Sequence, residues 1–362
     1  MLPSSTSSSD PPVLSPAEWL WLAAIVAGAL ALFSVCWQRG EKLTYAADYR
    51  LPWEKANDYY LFSRWARHAA GEYRAFVMGD SVIWGQEVRN DETIAHYLNQ
   101  EAGAPVFANL GMDGLHPVAM DGLIRHYGAR LRNRPILLQF NPTWMRNPYY
   151  DLQGDWTDFF HSGLVPQFWP RIACYHATGE ARLSTTITRT FHFFDLVQHV
   201  ASGAFGSLSA PQWMLKNPYR SPLTAMKPQP PALDVRSPGR GRSWNFRSRP
   251  PDDSPWLACG ESLQWKYFVM AVKRLESRGN KVLVLMSPCN TYVLTPGSRD
   301  RALRVIREVQ SRFDAMGIRY VTVDDIPSEC FADEYGHLLK DGHIRLAASL
   351  STNSVFRVWL KE

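Results

Sequence analysis

The sequence predicts an α/β fold: a parallel sheet with helices on both faces, behind one N-terminal transmembrane helix and interrupted by a long insertion. Three observations lead there. Short apolar runs of strand length alternate with helical patterns of ten or more residues, the rhythm of strand–helix–strand units. A stretch of 19 residues, Trp19 to Trp37, carries no charge. Between about Trp144 and Gly260 the rhythm breaks down.

Residues 1–18 are rich in Ser and Pro and predict a disordered tail. Residues 19–38 follow as a transmembrane anchor, because a helix needs about 20 apolar residues to cross a bilayer. Trp19, Trp21 and Trp37 lie near its ends, where indoles favour the interface. No Lys or Arg precedes the run, no small-x-small site follows it, and Ser34-Val35-Cys36 lacks the small residue of a lipoprotein signal. A retained single anchor therefore fits better than a cleaved leader. Its flanking positives, Arg39 and Lys42, follow the span, and charge alone would put the rest of the chain in the cytoplasm; long domains cross regardless of such a bias.

Residues 39–71 are expected to be a juxtamembrane segment. The α/β domain is expected over 72–148 and 261–362. Its strands are RAFVM (74–78), PVFANL (105–110), PILLQF (135–140), KVLVLM (281–286) and 320–323, each short and apolar. Helices are expected over 91–101, from Pro117 to about Leu131, over 261–278 and 300–316, and after Gly342, with Pro117 suited to a first helical position. Residues 149–260 form the insertion. Its first part carries aromatic clusters, including Trp156 to Phe160 and Phe191 to Phe194. These suit either a satellite core or a lid that docks on a membrane or partner, with Phe159 and Phe160 foremost. Its second part is a Pro- and Arg-rich loop containing Arg236, Arg240, Arg242, Arg247 and Arg249.

Composition narrows the function. Apolar residues make up 46 % and charged residues 20 %, which excludes a disordered, collagenous or coiled-coil chain. A mean hydropathy of −0.26 excludes a polytopic membrane protein. A net charge of +5 without a basic stripe gives no footprint for nucleic acid. Five cysteines are too few for a disulfide scaffold and leave the redox compartment open.

The chemistry gathers where strands end. Gly79-Asp80-Ser81 follows the first strand, Asn109 to Gly114 closes the second, and Gln139-Phe140-Asn141-Pro142 closes the third. In an open α/β sheet these ends line the ligand crevice, where a loop Ser can act as nucleophile beside backbone N–H groups. Ser81, Gly114 and Asn141 are spaced 33 and 27 residues apart, each one strand–helix–strand unit. Near the C-terminus, Asp333 and Glu334 precede His337 by four and three residues, and Leu338 through Gly342 lead into a helix. The remaining histidines show no metal-ligand spacing, so no cofactor or metal is expected.

In order and spacing these four blocks resemble the SGNH (GDSL) hydrolase superfamily over roughly 72–148 and 261–350. The resemblance implies a flavodoxin-like sheet, Ser81 as nucleophile, His337 as base, Asp333 or Glu334 as the acid that orients it, and Gly114 and Asn141 in the oxyanion hole. The third block departs from the usual Gly-x-Asn-Asp, keeping only Asn141. With its anchor the chain resembles the cell-envelope subset typified by D-alanyl transfer and alginate-acetylation proteins, to which Asn141-Pro142-Thr143-Trp144 adds a loose likeness. This implies an esterase or acyltransferase held outside the cytoplasm, with a glycan or other acyl acceptor and a membrane-bound O-acyltransferase as partners. The alternatives are an ordinary tethered esterase and, in a different class, a non-catalytic assembly subunit that keeps the fold and docks through its aromatic insertion.

Overall fold

Alternation along the strands gives the sheet two buried faces. In β1 (Ala75–Met78), Phe76 and Met78 enter one core while Ala75 and Val77 enter the other. The same split recurs in β3 (Pro135–Phe140) and β4 (Lys281–Met286), with Leu138 and Val284 on the first face and Leu137 and Leu283 on the second. β2 (Phe107–Asn109) and β5 (Tyr320–Thr322) complete five parallel strands in the order β2-β1-β3-β4-β5. Strands buried on both sides must be apolar at nearly every position, which is how these runs look in the sequence. The structure, a computed structural model, describes residues 14–155, 159–206, 208–227, 241–246, 250–323 and 326–362.

By its contacts the chain forms two units, 44–199 with 231–362 and 1–43 with 200–230. In the first, α2 (Tyr59–Glu72), α5 (Pro117–Tyr127), α10 (Leu263–Glu276) and α11 (Pro296–Met316) cover one face of the sheet. α4 (Ile94–Ala102), α12 (Lys340–Thr352) and α13 (Ser354–Lys361) cover the other. Helix starts follow local chemistry: Thr93 caps α4, and Pro117 opens α5 behind the His116 cap. α2 lies in the stretch expected to be juxtamembrane, yet its Phe62, Trp65 and Ala69 are in the main core.

The second unit contains α1 (Pro16–Gly40), whose 25 residues have no buried member and whose most apolar 18-residue stretch has a mean hydropathy of 2.2. It is long and apolar enough to cross a membrane. A capping box between Ser15 and Glu18 starts it, so helix begins inside the expected tail and outruns the expected 19–38 span at both ends. Residues 1–13 of that tail lie outside the described residues.

Where it is described, the expected insertion contains α6 (Gly179–Thr190), α7 (Phe193–Phe205), α8 (Ala210–Lys216) and α9 (Pro222–Ala225). The aromatic pair divides. Phe159 is buried in a satellite cluster with Val118, Leu152, Val165 and Ile172, whereas Phe160 is half exposed. The expectation that both rings form one docking face is therefore corrected: one ring is packed inside and its neighbour reaches solvent. Trp156, Arg236, Arg240, Arg247 and Arg249 lie outside the described residues, while Arg242 is exposed.

Candidate active site

The turn after β1 is built by close approach. A Cβ on Gly79 would lie 2.2 Å from Gln139 Oε1. The space left by glycine lets that oxygen accept the Asp80 N–H at 2.9 Å, and Gln139 Nε2 donates to Ser287 Oγ at 3.0 Å. The ends of β1, β3 and β4 are thereby stitched together. Asp80 Oδ1 accepts the Val82 N–H at 2.9 Å and caps the one-turn helix α3 (Ser81–Trp84), which Ser81 opens. Arg50 closes the other end: its buried guanidinium donates to the carbonyls of Trp84 at 2.8 Å and Val88 at 3.0 Å, also reaches Gly85, and stacks 4.1 Å above the Trp84 ring. Arg50 is a positioning residue that motif reading passed over, because it lies outside every strand-end block.

His337 arrives on a loop pinned at both ends. Phe331 and Leu338 pair in an antiparallel bridge, and Asn290 Nδ2, from the turn after β4, donates to the Asp333 carbonyl at 2.8 Å. The imidazole Nε2 is 2.7 Å from Ser81 Oγ, and Nδ1 is 2.5 Å from Asp333 Oδ2. The other Asp333 oxygen accepts the backbone N–H groups of Tyr335 at 2.9 Å and His337 at 3.3 Å. Of the two acids left open by the sequence, Asp333 therefore sits on the imidazole, while Glu334 meets Arg146 through its carbonyl at 3.5 Å. With Nδ1–H donating to Asp333, Nε2 is left to accept the Ser81 proton.

The electrostatics suit a base. Burial opposes a charge on His337, but the hydrogen bond and charge of Asp333, with Asp80 and Asp113 behind them, outweigh it and hold the imidazole above its ordinary value. Burial would likewise raise Asp333; His337 and the two backbone donors hold it below the usual carboxylate range. Ser81 and His337 are only 8 % and 6 % exposed, so a substrate must reach a recessed pair. His343, the nearest alternative base, is fully buried and pushed down to about 3 by that burial, with Arg50 and His337 adding to it, so it stays neutral.

Gly114 sits in the loop after β2 with φ of 71°, a left-handed conformation natural to glycine, and a Cβ there would lie 2.5 Å from the Phe160 ring. That loop is tied to the turn that carries Ser81 through the Met112 N–H, which donates to the Gly79 carbonyl at 3.1 Å. Asn141 holds a dual position. Its Oδ1 accepts from Thr143 N and Oγ1, at 3.1 and 2.7 Å, and its Nδ2 donates to Asp80 Oδ2 at 2.8 Å. Trp144 Nε1 donates to the same Asp80 oxygen at 2.9 Å. One amide hydrogen of Asn141 thus steadies the turn that carries Ser81, and the other has no partner among the described residues. Asp80 and Trp144 are partners of the site that motif reading named without assigning them roles.

No family model matches the chain, and no curated protein matches it. What the site can do therefore rests on its own geometry: a hydroxyl, an imidazole and a carboxylate in sequence, at the C-terminal ends of parallel strands.

Proposed function

We propose that the protein is a membrane-anchored serine esterase or O-acyltransferase of the SGNH type, acting on an acyl ester of a cell-envelope polysaccharide or a related acceptor. The observation that carries this is the continuous Ser81–His337–Asp333 hydrogen-bond chain. The strand order β2-β1-β3-β4-β5, which is the flavodoxin-like one, supports it further. His337 Nε2 takes the Ser81 proton as Oγ attacks the acyl carbonyl; Asp333 holds the tautomer and balances the imidazolium. The Gly114 N–H and the free Asn141 amide hydrogen are the donors offered to the oxyanion. His337 then returns the proton to the leaving alcohol, and water or an acceptor hydroxyl releases the acyl group from Ser81. A membrane-bound O-acyltransferase is the partner this reading pairs with the anchor.

Two experiments test it. Ser81→Ala should remove turnover of a 4-nitrophenyl ester with the melting transition unchanged; retention of most activity refutes the nucleophile assignment. The reading also puts the catalytic unit outside the cytoplasm, against Arg39 and Lys42. A C-terminal reporter that works only after export should be active, and a reporter signal confined to the cytoplasm refutes that orientation.

A further inference from the structure

Residues 208–227 have a finished inner face and an unfinished outer one. Ser209 and Gln212 form the capping box that starts α8, and Asn217 Nδ2 donates back to the Trp213 carbonyl at 2.9 Å where the helix ends. The Trp213 ring packs 5.4 Å from the ring of buried Phe205. A turn in which the Arg220 N–H donates to the Asn217 carbonyl then leads to α9. On the outside, Leu215 is 82 % exposed, Leu223 73 % and Tyr219 100 %, and Met214 is exposed beside them. A single exposed apolar residue is ordinary; four in so short a stretch mark a contact surface.

The same stretch is cationic. Lys216, Arg220 and Lys227 are exposed, and from Leu196 to Leu233 the chain holds no Asp or Glu to offset them. Three arguments choose what meets this surface. The segment belongs to the unit that contains α1, the helix long and apolar enough to cross a bilayer. Its aliphatic and aromatic side chains interspersed with Lys and Arg are what a chain lying at headgroup level needs, apolar groups toward the acyl chains and cations among the phosphates. A protein partner calls for the opposite, because the cores of protein interfaces are depleted in Lys. A small free anion would meet the cations but leave Leu215 and Leu223 in water.

We infer that residues 208–227 are a second membrane contact, an interfacial strip that lies on a bilayer surface containing anionic lipid. The inference uses the anchor of the reading above and none of its ester chemistry.

The test uses the full-length protein in nanodiscs of phosphatidylcholine, alone or mixed with phosphatidylglycerol, and reads quenching of an NBD label by 5-doxyl phosphatidylcholine. Cys289→Ser leaves the exposed Cys36 of α1 as the labelling site, since the other cysteines are buried. Adding Cys36→Ser with Leu215→Cys or Leu223→Cys moves the label to the strip. Labels at 36, 215 and 223 should all be quenched in the anionic discs, and those at 215 and 223 at least about twofold more than in phosphatidylcholine alone. Lys216→Gln with Arg220→Gln and Lys227→Gln should cancel that difference, with quenching at 36 and the melting transition unchanged. Quenching at 36 with none at 215 and 223 overturns the inference and leaves the anchor standing. No quenching at 36 refutes the anchor and the inference with it. Labels at 215 and 223 that leave water without lipid quenching, more so as protein loading rises, would place a second copy on the strip and overturn the inference. Equal quenching in the two lipid mixtures overturns it as well.

Discussion

The strand-end site and the helical insertion beside it use similar residues in opposite ways. At the strand ends, polar groups are buried and almost all paired: Ser81 with His337, His337 with Asp333, and Asp80 with Asn141 and Trp144. In the insertion, apolar groups are left outside: Leu183, Phe191 and Phe194 on α6, α7 and the turn between them are exposed. A region whose interactions are complete positions atoms. A region whose interactions are incomplete is built to meet something else. The comparison predicts that changes at the strand ends cost rate with little stability, and that changes in the insertion cost stability or binding with little rate.

The largest effect is expected at the reacting pair. Ser81→Ala and His337→Ala should each lower kcat/KM by roughly 10³-fold or more and lie within tenfold of each other, since the two act as a unit. A mild loss at His337 with a severe one at His343 would break the assignment.

Next comes the acid. Asp333→Asn should lower kcat by about 10³–10⁴-fold by removing the group that fixes the tautomer, while Glu334→Gln should change it only a few-fold. Steady-state rates of the two variants settle which acid acts. The pH profile gives the same distinction. His337 must be neutral to act as base, and its folded value lies above the ordinary value of about 6.5. The acid limb of kcat/KM should therefore fall above that pH, and Asp333→Asn should move it down. Stability runs the other way: a raised histidine stabilises fully below its unfolded value, and that contribution is lost as pH rises through the folded value.

The insertion should behave in reverse. Phe159→Ala should destabilise by about 3 kcal/mol, because it empties the satellite cluster, and thermal melting measures it. Phe160→Ala, at a half-exposed ring, should barely move the melting transition. Equal destabilisation by both would erase the division between the neighbouring rings.

What the sequence made legible follows from this difference. The five strands could be read because burial on both faces demands continuous apolar runs, as in PILLQF and KVLVLM. Ser81, Gly114, Asn141 and His337 could be read because each follows a strand or opens a helix with turn chemistry. The choice between Asp333 and Glu334 could not: it depends on the turn closed by Phe331 and Leu338, which aims the first acid at Nδ1. Arg50 was illegible for a related reason, since its partners lie 34 to 38 residues away along the chain. The helices of the insertion were hidden by composition. α6 has four threonines among its 12 residues, a poor helix former, and its start depends on the Thr178 cap.

The central claim is that Ser81 is a nucleophile activated by His337. It is tested most directly by treating the full-length protein with a fluorophosphonate and mapping the adduct by mass spectrometry. The account predicts one adduct on Ser81, absent in Ser81→Ala and formed far more slowly in His337→Ala. A folded protein that forms no adduct, or carries it on another residue, would contradict it.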